Sequence, residues 1–149
     1  MNNIDLNKYT EFVKDLTAKP WNDLTEFHNS LDRLDGNYEM FAGEDTMRHG
    51  PDLNVPLLIG ASMGLCGEAG EFSEIVKKTV FHGKLFDEAA RLHAIKELGD
   101  IIFYWINACR SLGVDPNEVI QTNVEKLQNR HPNGVFDATY QTDRTASDV

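Results

Sequence analysis

Hydrophobic residues recur at helical spacing in five segments of the chain. Residues 4–18 and 21–34 each carry one apolar stripe, residues 55–79 and 87–112 are longer, and a fifth segment begins at Asp115. The stripes of the first, second and fifth segments are Ile4, Tyr9, Phe12, Val13 and Leu16; Leu24, Phe27, Leu31 and Leu34; and Ile120, Val124 and Leu127. No segment alternates as a half-buried strand does. We therefore predict an all-α bundle of about five helices.

Residues that start and stop helices divide these segments. Asp35-Gly36-Asn37 ends the second helix, Gly83 breaks the chain within a turn "FHGKLF", and Gly113 closes the fourth helix. In "DPNE", Asp115 is the predicted N-cap, Pro116 lies in the first turn and Glu118 in the third position. The short turn between helices three and four predicts an antiparallel hairpin. Residues 37–54 show no period and are interpreted as a long ordered loop.

Length and composition fit one domain over residues 1–149, since the chain of 149 residues is 41% hydrophobic and 26% charged. The net charge of −10 argues against nucleic acid or an anionic membrane as a general partner. The apolar runs are too short to span a bilayer, and the N-terminus lacks the pattern of a signal peptide. Cys66 and Cys109 both lie in helical patterns, which indicates buried thiols in a reducing cytoplasm.

Carboxylates interrupt the apolar faces of helices three and four. "GLCGEAGEFSEIVKK" (64–78) contains Glu68, Glu71 and Glu74, and "KELGDIIFYW" (96–105) contains Glu97 and Asp100. Residues three or four apart share a helix face, so both pairs lie beside the residues that their helices bury. Most acidic pairs are solvated, and that alternative stays open here. The hairpin nevertheless predicts that four carboxylates come together.

Four neighbouring anions in a partly dry site need protonation or a cation. An all-oxygen ligand set suits Mg²⁺ or Mn²⁺, whereas the Glu-x-x-His pairs of di-iron bundles and the His-Glu-x-x-His motif of zinc enzymes are missing from the sequence. Magnesium held by carboxylates commonly also binds substrate phosphates. Lys77, Lys78 and Lys84 are cations that could bind such phosphates. The fifth helix also places Asn123, Lys126 and Arg130 on one face, although that face could instead simply be exposed to solvent.

These motifs, followed by "NVEKLQNRHPNG" (123–134), resemble the MazG-like members of the all-α nucleoside triphosphate pyrophosphohydrolases. The likeness covers about residues 55–136, with residues 1–54 as N-terminal helices and loop and residues 137–149 as a tail. It implies Mg²⁺-dependent hydrolysis between the α and β phosphates, giving nucleoside monophosphate and pyrophosphate, with a preference for deoxynucleotides. Many relatives have Glu-Glu where this chain has Gly67-Glu68, so substrate preference does not transfer from that branch.

The resemblance also implies roles for individual residues. Glu68, Glu71, Glu97 and Asp100 match the magnesium ligands. Glu71 and Glu74 are the candidates for the general base or for a residue that supports it. The residues implied for substrate binding are Lys78, Tyr104, Asn123, Lys126 and Arg130. Arg48, His49 and His82 are further candidates for contact with the nucleotide. For all three, a surface position without a role in binding is the favoured alternative.

The resemblance further implies a homodimer or homotetramer. Apolar residues point several ways around helix four, which is more than one subunit face requires; they are Ile102, Phe103, Trp105 and Ile106. Two other functions remain open from sequence. One is a non-catalytic acidic interaction module, and the other is a pyrophosphohydrolase of a nucleotide derivative such as phosphoribosyl-ATP or an alarmone.

Overall fold

The computed structural model describes residues 6–34, 53–131 and 134–135. This part of the chain forms five α-helices and no strand, which confirms the all-α prediction. They are α1 (Leu6–Leu16), α2 (Leu24–Leu34), α3 (Val55–His82), α4 (Glu88–Ser111) and α5 (Pro116–Arg130). The described helices fall into two compact units, one reaching Val55 and the other starting at Pro56. Among the described helices, none has the length and apolar character needed to cross a membrane.

The N-terminal unit contains α1 and α2, joined by a single 3₁₀ turn, Lys19–Trp21. The prediction that the second helix begins at Trp21 is wrong. Asp23 caps α2, because its Oδ1 accepts hydrogen bonds from the amides of Thr25 at 2.8 Å and Glu26 at 3.1 Å. Pro20 supports the preceding 3₁₀ turn, so the chain changes direction between Trp21 and α2. The predicted loop and tail lie largely outside the described residues.

The second unit begins with α3, which is longer than predicted. Phe81 and His82 continue the helix, so the prediction that the turn includes them is wrong. Gly83 then adopts a φ of +67°, a left-handed conformation that glycine takes without steric cost. The Lys84 amide donates to the Lys78 carbonyl at 3.2 Å across this end. Gly83 therefore ends α3, as predicted, but the helix continues up to His82, the residue directly before it.

Gly113 at the end of α4 and Asp115 at the start of α5 act as predicted, and the start of α4 has a cap that was not predicted. Asp87 caps α4 by accepting a hydrogen bond from the Ala90 amide at 2.9 Å. At the other end, Gly113 has a φ of +66°, and Val114 donates to the Cys109 carbonyl at 3.1 Å, which is the Schellman pattern. Asp115 caps α5 by accepting from the Asn117 amide at 2.8 Å.

Contacts between α3 and α4 define an antiparallel hairpin. The ring of Tyr104 lies directly against Gly64, and further along α3 the carboxyl group of Glu68 is hydrogen-bonded to Glu97. Residues later in α3 thus lie beside residues earlier in α4, so the two helices run in opposite directions. A Cβ atom at position 64 would overlap the Tyr104 ring, so the absence of a side chain is what permits this close approach. The predicted hairpin is confirmed.

Among the described residues of the isolated chain, the apolar side chains that are buried are all small. They are Val55, Ala61, Ala94 and Cys109. The prediction that Ile120, Val124 and Leu127 form the core stripe of α5 is wrong for this chain alone, since they are 52%, 38% and 43% exposed. The half-buried residues of α5 are instead Pro116, Val119 and Arg130. The predicted stripe is therefore largely uncovered in the isolated chain.

Candidate metal centre

The hairpin brings the two predicted carboxylate pairs together. Glu68 and Glu71 lie on α3, and Glu97 and Asp100 lie on α4, each pair spaced so that it shares one helix face. Because the helices are antiparallel, the two faces meet. One carboxylate oxygen from each of Glu68, Glu97 and Asp100 lies within 4.8 Å of the others. We call this set the oxygen group.

A second set of ligand atoms shares Glu97 with the first. The side chains of Glu71, His93 and Glu97 also place ligand atoms within 4.8 Å of one another, and we call this set the mixed group. His93 Nε2 is 2.8 Å from Glu97 Oε1. The two groups together contain all four predicted ligands and one residue that was not predicted.

Burial is graded across the centre. Glu97 is only 6% exposed and Glu68 is half-buried, while Glu71, His93 and Asp100 are exposed. The centre is therefore closed at Glu97 and open to solvent on the opposite side. Water and a ligand have access to the exposed carboxylates without any rearrangement of the hairpin.

The charge of the centre is poorly compensated within the isolated chain. Partial burial raises the pKa of Glu68, and its hydrogen bond to Glu97 and the negative charges of the other three carboxylates raise it further. A carboxylate whose ionised form is disfavoured in this way gains from a nearby cation. The oxygen group supplies the donor type that Mg²⁺ and Mn²⁺ prefer. The residues present thus fit a hard divalent ion.

Glu74 lies one turn beyond Glu71 but belongs to neither group. Its carboxylate pairs with Lys77 and, at 3.4 Å, with Lys78. The hydrogen bond from Lys77 is the main reason that the pKa of Glu74 is lowered; the charges of both lysines add to it, and partial burial opposes it. A carboxylate held in this way is a weaker base than an unpaired one. Lys78, predicted to bind phosphate, here contacts Glu74.

The remaining predicted residues are spread over the hairpin and α5. Tyr104 is half-buried, and its ring packs against Gly64 and edge-on against Phe103 with 5.2 Å between ring centroids. Asn123 and Lys126 are exposed on α5, and Arg130 is half-buried. Their roles in substrate binding stay predictions. Lys84 and His82 are exposed, and Arg48 and His49 lie outside the described residues.

Sequence motifs did not predict His93, because it fits neither Glu-x-x-His nor His-Glu-x-x-His. The histidine here comes four residues before Glu97, which places both side chains on the same face of α4. That spacing was visible in the sequence. The spacing of His93 and Glu97 alone does not indicate a group of metal ligands, because the sequence does not show that Glu71 of α3 lies near them.

Comparison with known proteins gives two matches. The MazG nucleotide pyrophosphohydrolase domain matches residues 61–135, a range that includes both groups and all of α5. The chain is also similar to the Gene 37 protein of Mycobacterium phage L5, with 38% identity over 77 residues that cover 50% of this chain and 67% of the phage protein. No solved structure matches the chain significantly.

Proposed function

This chain belongs to the MazG nucleotide pyrophosphohydrolase domain family, and we propose that it hydrolyses nucleoside triphosphates between the α and β phosphates. The products are the nucleoside monophosphate and pyrophosphate. One observation carries the proposal: the hairpin within the matched region brings two facing carboxylate pairs into a single centre. Such a centre suits phosphate chemistry, in which a cation must lie between two sets of negative oxygens.

We propose that Glu68, Glu71, Glu97 and Asp100 bind Mg²⁺, for which Mn²⁺ can substitute. The raised pKa of Glu68 supports this assignment, because partial burial, the hydrogen bond to Glu97 and the neighbouring carboxylates all disfavour its ionised form, which a cation would stabilise. When bound, the ion supplies positive charge that stabilises the leaving pyrophosphate. The protein supplies the fixed spacing of the ligands, set by two helices that the close contact of Gly64 with Tyr104 holds together.

Of the two candidate bases, we favour Glu71. Its carboxylate lies at the solvent-exposed side of the centre, where an attacking water arrives. Glu74 is outside both groups and is held by Lys77 and Lys78. General base catalysis requires a carboxylate that both reaches the water and is available for its proton. Glu71 lies within the centre and has two carboxylate oxygens, so that one can bind the ion while the other accepts the proton, whereas Glu74 supports the position of the lysines.

The phosphate chain needs cations next to the carboxylates, and Lys78, Lys126 and Arg130 are the proposed partners. Tyr104 and Asn123 are proposed to contact the sugar or base, with deoxynucleotides preferred. These assignments come from the family motif. Lys126 is exposed on α5, so its side chain is accessible to a substrate phosphate. We place the reaction in the cytoplasm, where the substrates are made.

A product assay tests the function. Each common ribo- and deoxyribonucleoside triphosphate, and dUTP, is incubated with the protein and Mg²⁺, and the products are separated by ion-exchange chromatography. We expect monophosphate and pyrophosphate. Diphosphate and phosphate would contradict the proposed bond. Absence of turnover for every triphosphate would favour a non-catalytic module or a nucleotide derivative such as phosphoribosyl-ATP or an alarmone.

Two variants test the choice of base. Glu71→Gln should lower turnover by about 10²- to 10⁴-fold, the usual contribution of a general base, while far-ultraviolet circular dichroism stays unchanged. Glu74→Gln should lower it by less than about tenfold, because it only loosens two partly exposed ion pairs. Glu88→Gln is the matched control, since Glu88 is exposed near the start of α4, outside both groups. A larger loss in Glu74→Gln than in Glu71→Gln would reverse the assignment.

A further inference from the structure

His93 lies inside the candidate metal centre, although the four-carboxylate motif leaves it out. Its Nε2 atom is 2.8 Å from Glu97 Oε1, and its imidazole belongs to the mixed group with Glu71. We infer that His93 is a metal ligand, so that the Glu71 side of the centre binds a metal ion through nitrogen as well as oxygen. This inference rests on the proposed metal-dependent function and deepens it.

The spacing of the mixed group suits one metal ion. Metal–ligand bonds are about 2.0–2.2 Å long. In an octahedral coordination sphere, two ligand atoms in adjacent positions therefore lie about 3 Å apart, and two in opposite positions lie about 4 Å apart. The 2.8 Å between His93 and Glu97 approaches the first value, and all three ligand atoms fall within 4.8 Å. Small side-chain adjustments therefore suffice, and the helices need not move.

Exposure of the mixed group leaves room for further ligands. The Glu97 side chain is 8% exposed, whereas the His93 side chain is 58% exposed. An ion held there would have protein on one side and solvent on the other. Open coordination positions of this kind accept water or phosphate oxygens, as catalytic metal sites require.

A nitrogen ligand changes which metal the centre prefers. Mg²⁺ is bound almost entirely through oxygen, while imidazole suits transition metals such as Zn²⁺ and Fe²⁺, and Mn²⁺, which also suits oxygen ligands, accepts imidazole more readily than Mg²⁺ does. The oxygen group keeps the donor set for Mg²⁺, and the mixed group adds a reason to prefer Mn²⁺. His93 therefore acts on metal selectivity, an effect that a hydrogen bond to Glu97 alone does not produce.

Electron spin-echo envelope modulation of Mn²⁺ bound to the protein tests this directly. A histidine nitrogen bonded to Mn²⁺ gives a nitrogen hyperfine coupling, and labelling the wild-type histidines with ¹⁵N changes the coupling from that of ¹⁴N. We expect the signal in the wild type and in His82→Gln, and we expect its loss in His93→Gln. His82 is the matched control, because it is an exposed histidine outside both groups.

Calorimetric titration gives the second readout. His93→Gln should weaken Mn²⁺ binding by about tenfold or more, while Mg²⁺ binding changes by less than about threefold. A wild-type Mn²⁺ complex without nitrogen coupling would overturn the inference and leave the proposed function standing. Equal losses for both metals would also overturn it, since an imidazole that merely orients Glu97 affects every ion alike. Failure of the wild type to bind either metal would overturn both.

Discussion

Glu68 and Glu97 place carboxylate oxygens close together at the centre of the hairpin. Partial burial, the hydrogen bond to Glu97 and the charges of the neighbouring carboxylates all raise the pKa of Glu68 and so favour its protonated form in the folded chain. A pKa raised by folding means that ionised Glu68 is less favourable in the folded than in the unfolded state. Its contribution to stability is therefore complete below the ordinary pKa of glutamate and is lost as pH rises through the raised value.

Replacing Glu68 by Gln should stabilise the metal-free protein. At pH 7 in EDTA, the thermal midpoint of Glu68→Gln should exceed that of the wild type, because the substitution removes the charge that the fold disfavours. The variant should also lose less stability between pH 4 and pH 7. In excess Mg²⁺ the order should reverse, since the ion stabilises only chains that bind it well. A lower midpoint for the variant in EDTA would contradict this account.

At this scale the sequence predicted the facing carboxylates better than their surroundings. The i, i+3 spacing of Glu68 with Glu71 and of Glu97 with Asp100, together with the short turn between their helices, predicted that the pairs would face each other. Spacing along one helix does not show which side chains of the opposite helix come close. The ion pairs of Glu74 and the position of His93 therefore required the three-dimensional structure.

Gly64 and Tyr104 are in close contact between α3 and α4. Gly64→Ala should destabilise the fold by about 1–3 kcal/mol, because the added methyl group forces the ring to shift. In a Tyr104→Ala background, the same substitution should stabilise the fold by up to about 1 kcal/mol, since alanine is a better helix former than glycine. Urea unfolding of the four proteins measures this change of sign. If Gly64→Ala changed the free energy of unfolding equally in both backgrounds, a steric conflict with the Tyr104 ring would be excluded.

Helix ends were predictable where one residue determines them. Asp87, Gly113 and Asp115 each act through a side chain or backbone angle that local sequence specifies. The last residues of α3 were misassigned because Phe81 and His82 follow no apolar period and continue the helix only until Gly83. The start of α2 was misassigned because Trp21 is apolar, although Pro20 and Asp23 place it in a separate turn.

Large apolar side chains remain exposed in both units of the isolated chain. In the second unit they include Met63, Val80, Phe81, Ile102 and Phe103, each at least 60% exposed. Apolar surface of this extent on helices is typical of a subunit interface. We therefore propose a homodimer or homotetramer, which also explains why the predicted stripe of α5 is uncovered in one chain.

Ile102→Glu tests this arrangement, because Ile102 is 60% exposed on α4. The wild type should sediment as a dimer or tetramer at micromolar concentration. A charge at the interface should raise the dissociation constant by roughly tenfold or more. Gln128→Glu is the control, since it adds the same charge at an exposed polar position of α5. A monomeric wild type would contradict the proposal.

Among the described residues, all members of the candidate metal centre lie in a single hairpin, between residues 68 and 100. Contacts between residues so close in the chain form early in folding, because only a short loop must close. The centre can therefore assemble when the hairpin closes, before distant parts of the chain are in place. A metal ion captured at that moment would hold the nascent hairpin shut and serve as a folding nucleus for the remainder of its unit.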